Sequence, residues 1–199
     1  MFETFNNRLF EAIAAAPTLT GAQLNFAMLL AQSAVYLGPF MLALLWIFGT
    51  HAERRAAVDA GLSTLLALAL AVAISSLWMH PRPFAILQTR NFLNHAPDSS
   101  FPSDHSTLLF ALGFALWASA SIPSRRAGAC AVFLGLSVGW ARIYLGTHYP
   151  LDIVGAAGVA AASSLTVSSP VGRTIGARLT IWGEHLFGWS IASNLCRRR

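Results

Sequence analysis

The sequence predicts an all-α fold: an integral membrane bundle of five or six transmembrane helices, with an amphipathic helix at the N-terminus and short helices in the loops. Three observations predict it. Only 11% of the 199 residues are charged and 55% are apolar, where a soluble domain carries about 25% charge. Mean hydropathy is +0.57. Runs of about 20 apolar residues, the length that crosses a bilayer core, recur along the chain. No stretch reads as a linker or a second composition, so residues 1–199 are expected to form one membrane-embedded domain.

The first seventeen residues, MFETFNNRLFEAIAAAP, place Phe2, Phe5, Leu9, Phe10 and Ile13 at roughly helical spacing with Glu3, Arg8 and Glu11 between them. That pattern predicts an amphipathic helix on the membrane surface or against the bundle, stopped by Pro17, and does not read as a cleavable signal. Spans are expected at about 23–48, 58–79, 105–122, 127–145 and 151–169. The third is short, and its start overlaps a polar motif. In the tail, 170–199, Ile181, Trp182, Leu186, Phe187 and Trp189 alternate with Arg178, Glu184 and His185, which suits an interfacial helix better than a sixth span.

The net charge of +5 comes wholly from arginine, since the chain has no lysine. Nucleic acid is not the expected partner, because the arginines stand beside apolar runs as topology signals do. Alternating the spans puts Arg54, Arg55, Arg125, Arg126, Arg173, Arg178 and Arg197–Arg199 on one side, and Arg8, Arg82, Arg90 and Arg142 on the other. Nine against four places the first side in the cytoplasm and sends loops 80–104 and 143–150 outward together. Two cysteines, Cys130 and Cys196, give no framework for disulfides or zinc.

Those two loops hold an unusual density of ionisable groups. The first reads MHPRPF (79–84) and then SFPSDHST (100–107); the second lies in ARIYLGTHYPLD (141–152). Ionisable residues near lipid are costly and usually face a cavity or do chemistry. His148 and Asp152 are four apart, with Pro150 between them at a helix start, so Asp152 can orient one imidazole nitrogen and leave the other free as a nucleophile. Arg82 and Arg142 can each grip two phosphate oxygens in a planar fork. Ser103, after Pro102 at a helix N-cap, adds a hydroxyl beside free backbone N–H groups. His105, one turn on, can protonate a leaving oxygen. A lone flanking arginine is usually a snorkelling anchor and a histidine–carboxylate pair is usually structural. His51, His95 and His185 lack the pattern and are read as ordinary residues. What separates the rest is that three polar blocks coincide on one membrane face.

Together these blocks resemble the type 2 phosphatidic acid phosphatase superfamily, whose pattern is Lys-x6-Arg-Pro, Pro-Ser-Gly-His and Ser-Arg-x5-His-x3-Asp. Arg82-Pro83 matches the first, Pro102-Ser103-Asp104-His105 the second with Asp104 for glycine, and Ala141-Arg142 to His148 and Asp152 the third with alanine for serine. The resemblance covers roughly residues 20–170. It implies a phosphohistidine on His148, oriented by Asp152, with His105 as acid and Arg82, Arg142 and Ser103 on the phosphate. Ser75 stands where the family lysine belongs. His80 is the expected substitute cation, and Asp104 is expected to turn away and hydrogen-bond the loop. FPSDH and RIYLGTHYPLD are most similar to the BcrC/YbjG-type undecaprenyl-diphosphatases of bacteria. That likeness implies hydrolysis of undecaprenyl diphosphate at the outer face of the inner membrane, recycling of the peptidoglycan carrier lipid and bacitracin resistance on overexpression. The expected partners are this lipid diphosphate and the surrounding membrane lipids. No cofactor or metal is expected. Two alternatives stay open: a phosphatase of phosphatidylglycerophosphate, phosphatidate or lipid A, and a non-enzymatic transporter or lipid-binding bundle. Inverted repeats and mid-membrane helix breaks would favour the transporter; here the polar residues sit at span ends.

Overall fold

The structure is a computed structural model that describes residues 2–187 except Gln88. Trp189, Cys196 and Arg197–Arg199 of the expected tail lie outside the described residues.

Every described element is helical. The first helix, α1 (Phe2–Ile13), ends before Pro17 and lies against the bundle, not only on a membrane surface: Phe10 is fully buried. Helices α2 (Gly21–Ser33) and α3 (Leu37–Phe48) run on through a 3₁₀ turn, Ala34–Tyr36. The turn precedes Pro39, which has no N–H to return to the Val35 carbonyl. Helix α4 (His51–Leu77) opens with a capping box in which the Thr50 backbone N–H donates to Glu53 Oε2 at 2.6 Å, satisfying a donor left over at the helix start.

After a short helix, α5 (Pro83–Ile86), come α6 (Asp104–Trp117), α7 (Ile122–Tyr144), α8 (Pro150–Val167) and α9 (Pro170–Leu186). Among the described residues, four helical stretches are long and apolar enough to cross a membrane: Gly21–Phe48, His51–Leu77, Ile122–Tyr144 and Pro150–Val167. The protein is therefore a membrane protein. The third expected span is met by α6, whose 14 residues reach about 21 Å, short of the roughly 30 Å hydrocarbon core.

Short as it is, α6 is the centre of the bundle, packed against α4, α7 and α8. Thr107, Leu109, Phe110, Ala111, Leu112 and Leu116 are all buried along it. Its backbone touches that of α7 where Gly113 meets Gly128: a Cβ on Gly128 would stand 2.8 Å from the Gly113 carbonyl oxygen and 2.6 Å from the Trp117 nitrogen. Only small residues allow such an approach, the usual device for packing helices in lipid. Because α4, α6, α7 and α8 alternate in direction, one end of the bundle collects the α4 C-terminus, the α6 N-terminus, the α7 C-terminus and the α8 N-terminus. That end carries all three polar blocks.

Candidate active site

The loop between α4 and α6 is held by its own backbone. Pro81 and Ser99 form an isolated antiparallel bridge, and the Ser100 N–H donates to the His80 carbonyl at 2.7 Å. This pins Arg82 at the mouth of the bundle. Its side chain is 4% exposed, and each guanidinium nitrogen donates: Nε to Asp98 Oδ1 at 2.7 Å, Nη1 to the Thr147 carbonyl at 2.9 Å and Nη2 to the Ser99 carbonyl at 3.2 Å.

The second loop is tied by the Thr147 N–H and hydroxyl, which donate to the Arg142 carbonyl at 3.0 and 2.9 Å. His148 follows, buried, just before α8 starts at Pro150. Asp152 Oδ2 accepts the Tyr149 backbone N–H at 2.8 Å and lies 3.3 Å from His148 Nδ1, so the predicted i, i+4 pair is formed. On the other side of the ring, Arg82 Nη1 lies 3.3 Å from His148 Nε2. A guanidinium only donates, so Nε2 carries the lone pair and Nδ1 carries the proton aimed at Asp152. Burial, then the nearby charges of Arg142 and Arg82, push His148 well below the usual histidine pKa. That favours the neutral ring, the form in which an imidazole can act as a nucleophile.

Blocks two and three are joined directly, since the Ser103 N–H donates to the Asp152 carbonyl at 3.3 Å. Ser103 is the N-cap of α6, yet its hydroxyl makes no cap bond and is buried without a partner. Arg142, 3% exposed, donates through Nη1 to the Ala31 carbonyl at 3.1 Å and leaves Nε buried and unpartnered. Unpaired buried donors cost about 1–3 kcal/mol each, and they are what an incoming phosphate would satisfy. His105 sits in the first turn of α6, half-buried and within electrostatic reach of Arg142, His148 and Arg82.

Two expectations change. The contacts of His80 are with Asp152, Ser99, Ser100, Trp78 and Tyr149, and none is with the Arg82 guanidinium. Asp104 does not turn into a loop hydrogen bond. It is exposed and lines a cleft of about 180 Å³ with Ser75, Ser76, Arg82, Asp98 and others; α6 begins at Asp104 itself, so its side chain projects from the first turn.

Sequence reasoning missed Asp98, which orients Arg82 and whose carboxyl, although burial opposes its ionisation, is held below the usual range by that guanidinium. It also missed α1. The Leu151 N–H donates to Asn6 Oδ1 at 3.1 Å, Phe10 packs on Tyr149 with ring centroids 5.5 Å apart, and the Ala15 N–H donates to the Tyr144 carbonyl at 2.8 Å. Asn6 on the apolar side of an amphipathic helix was the available signal.

A neutral histidine backed by a carboxylate and fronted by arginines is a phosphoryl-transfer arrangement, and the comparison with known families agrees: the PAP2 superfamily model matches residues 56–174, more than half of the chain. The chain belongs to the PAP2 superfamily. Among relatives, this PAP2 chain is 30% identical over 202 residues to YbjG of Escherichia coli (strain K12), a protein named provisionally as an undecaprenyl-diphosphatase, covering 99% of this chain and 100% of that one. It is 30% identical over 155 residues to the undecaprenyl-diphosphatase BcrC of Bacillus subtilis (strain 168), 78% of each. The crystal structure of Aquifex aeolicus LpxE has the same fold, with a TM-score of 0.65 over 81% of this chain and 93% of that one at 21% identity.

Proposed function

We propose that this protein is an undecaprenyl-diphosphatase that uses a phosphohistidine on His148, with its active site open to the periplasmic face of the bacterial inner membrane. The observation that carries the reading is the His148 ring itself. It is neutral and buried, its Nδ1 proton is directed at Asp152, and its Nε2 lone pair lies beside the Arg82 guanidinium.

In the first step Nε2 attacks the terminal phosphorus. The bond from that phosphorus to the bridging oxygen breaks, and His105, carried in its imidazolium form beside the bound anionic diphosphate, gives its proton to the departing lipid monophosphate. Arg82, Arg142 and the Ser103 hydroxyl hold the three equatorial oxygens, where charge builds up. In the second step water gives a proton to His105 and attacks the phosphorus. The P–N bond breaks and inorganic phosphate leaves, restoring neutral His148. The relatives' names support a polyprenyl diphosphate as substrate, and the arginine asymmetry supports the orientation.

Phosphate release by purified protein from a panel of lipid phosphates in EDTA tests this. Undecaprenyl diphosphate should be hydrolysed fastest, and acid-labile phosphate should be trapped on the wild-type chain but not on His148→Ala. Faster release from phosphatidate or phosphatidylglycerophosphate would overturn the substrate; no trapped phosphate would overturn the nucleophile.

A further inference from the structure

Asp152 has two carboxylate oxygens, and the structure treats them differently. Oδ2 is occupied by the Tyr149 N–H and by His148 Nδ1. Oδ1 is buried and has no hydrogen-bond donor of its own. A buried carboxylate with one bare oxygen is costly, and it is free to rotate off the imidazole that it should orient. A second imidazole, that of His80, stands on the side of that bare oxygen, with Nδ1 at 3.9 Å.

His80 is held firmly in this position. Its N–H donates to Ser99 Oγ at 3.2 Å and its carbonyl accepts from Ser100. Its ring is flanked by Trp78 and Tyr149 at centroid distances of 5.5 and 5.4 Å. Nδ1 lies 2.7 Å from Ser100 Oγ, and Ser100, fully buried, faces the Asp152 carboxylate. A hydroxyl has one proton to give. If Ser100 gives it to the ionised carboxylate, its lone pair must take the proton on His80 Nδ1.

We infer that His80, bridged by Ser100, is a positioning residue for the nucleophile. The chain runs from His80 Nδ1–H to Ser100 Oγ, whose hydroxyl faces the Asp152 carboxylate, while Asp152 Oδ2 receives Nδ1–H of His148. Two imidazoles share one carboxylate, and only the inner one meets phosphorus. Fixing both oxygens fixes the His148 tautomer and keeps its Nε2 lone pair aimed outward. The role rests on His148 being the nucleophile.

The test uses the full chain in detergent and undecaprenyl diphosphate, with wild type and His148→Ala first. Wild type inert toward every lipid phosphate would sink the proposed function, and a separate readout then addresses His80. For the active enzyme, His80→Ala should lower kcat about tenfold with KM nearly unchanged, Ser100→Ala should do the same, and His80→Gln, which still offers an N–H, should recover most of the rate. Added to Asp152→Asn, His80→Ala should cost less than about twofold more, because a residue that acts through Asp152 couples to it. A KM rise from His80→Ala, or an undiminished loss in the Asp152→Asn background, would overturn the inference and make His80 a phosphate ligand or an independent contributor. The ¹⁵N resonances of His148 need no turnover. They should report one Nδ1–H tautomer in wild type and a mixture in His80→Ala and Ser100→Ala; an unchanged tautomer overturns the inference whatever the activity.

Discussion

Each end of the bundle holds a histidine, a carboxylate and an arginine in contact. At the end away from the loops, Glu184 of α9 meets two residues of α4: His51 Nδ1 lies 2.9 Å from Oε2, and Arg54 Nη1 donates to Oε1 at 3.3 Å. Arg54 Nε also donates to the Trp46 carbonyl at 3.0 Å. At the other end the same three residue types stand in His148, Asp152 and Arg82, with the His–carboxylate contact longer at 3.3 Å. Contact distance alone would choose the wrong one as the reactive centre. The difference is in what remains unpaired. Both Glu184 oxygens are taken and the group staples α9 to α4. Around His148, Ser103 Oγ and Arg142 Nε are buried without partners. A saturated cluster holds structure together, whereas one with buried vacancies in its hydrogen bonding is shaped for a ligand.

The sharpest test of that contrast is His148→Ala, which should lower kcat by about three powers of ten or more while leaving the unfolding midpoint in detergent close to wild type. Turnover above about a tenth of wild type would remove the distinction at its active end. Glu184→Gln should do the reverse. Breaking a buried ion pair should cost about 3 kcal/mol of stability, read by denaturant unfolding, with kcat per folded molecule unchanged. If folded Glu184→Gln protein is inactive, the two ends are coupled and the comparison fails.

A smaller effect is expected where α1 meets the site. Asn6→Ala removes the side-chain acceptor from the first turn of α8 and should cost about 1 kcal/mol of stability, with kcat reduced less than stability is. A kcat loss as large as that of His148→Ala would make α1 part of the catalytic machinery. The smallest expected change is with pH. Burial and two arginines lower the His148 pKa, so its nucleophilic form should persist as pH falls through 6.5, and a pH–rate profile should show no half-loss there from this group. Stability should nevertheless decline below that pH, because the unfolded chain takes up a proton that the folded ring refuses. Stability flat from pH 7 to 5 would contradict the buried neutral ring.

Much of this was legible because it is local. The i, i+4 spacing of His148 and Asp152, Pro150 at a helix start, and Pro102 before Ser103 state their geometry in a few residues. So did the ordinary reading of His51, which proves to be half of the structural staple. The rest depends on packing between distant segments. Nothing in MHPRPF says on which side of Asp152 His80 will stand; that is fixed by the pairing of residues 80–82 with 99–100. The short reach of α6 was visible only as a marginal span, and its central place depends on glycine contacts with α7. An amphipathic α1 can lie on lipid or on protein with the same pattern, and only the fold decides that Phe10 faces Tyr149.

The bond between Asn6 and Leu151 joins positions 145 residues apart, and it orders events during synthesis. Helix α1 is a wall of the loop that carries His148, and it is made long before the helices it closes against, α7 and α8. At about 5–20 residues per second that wait is roughly 7–30 s. Throughout it, a chain already lodged in the bilayer has no assembled phosphatase, so the catalytic pocket is completed only once α8 has been made and α1 docks on it.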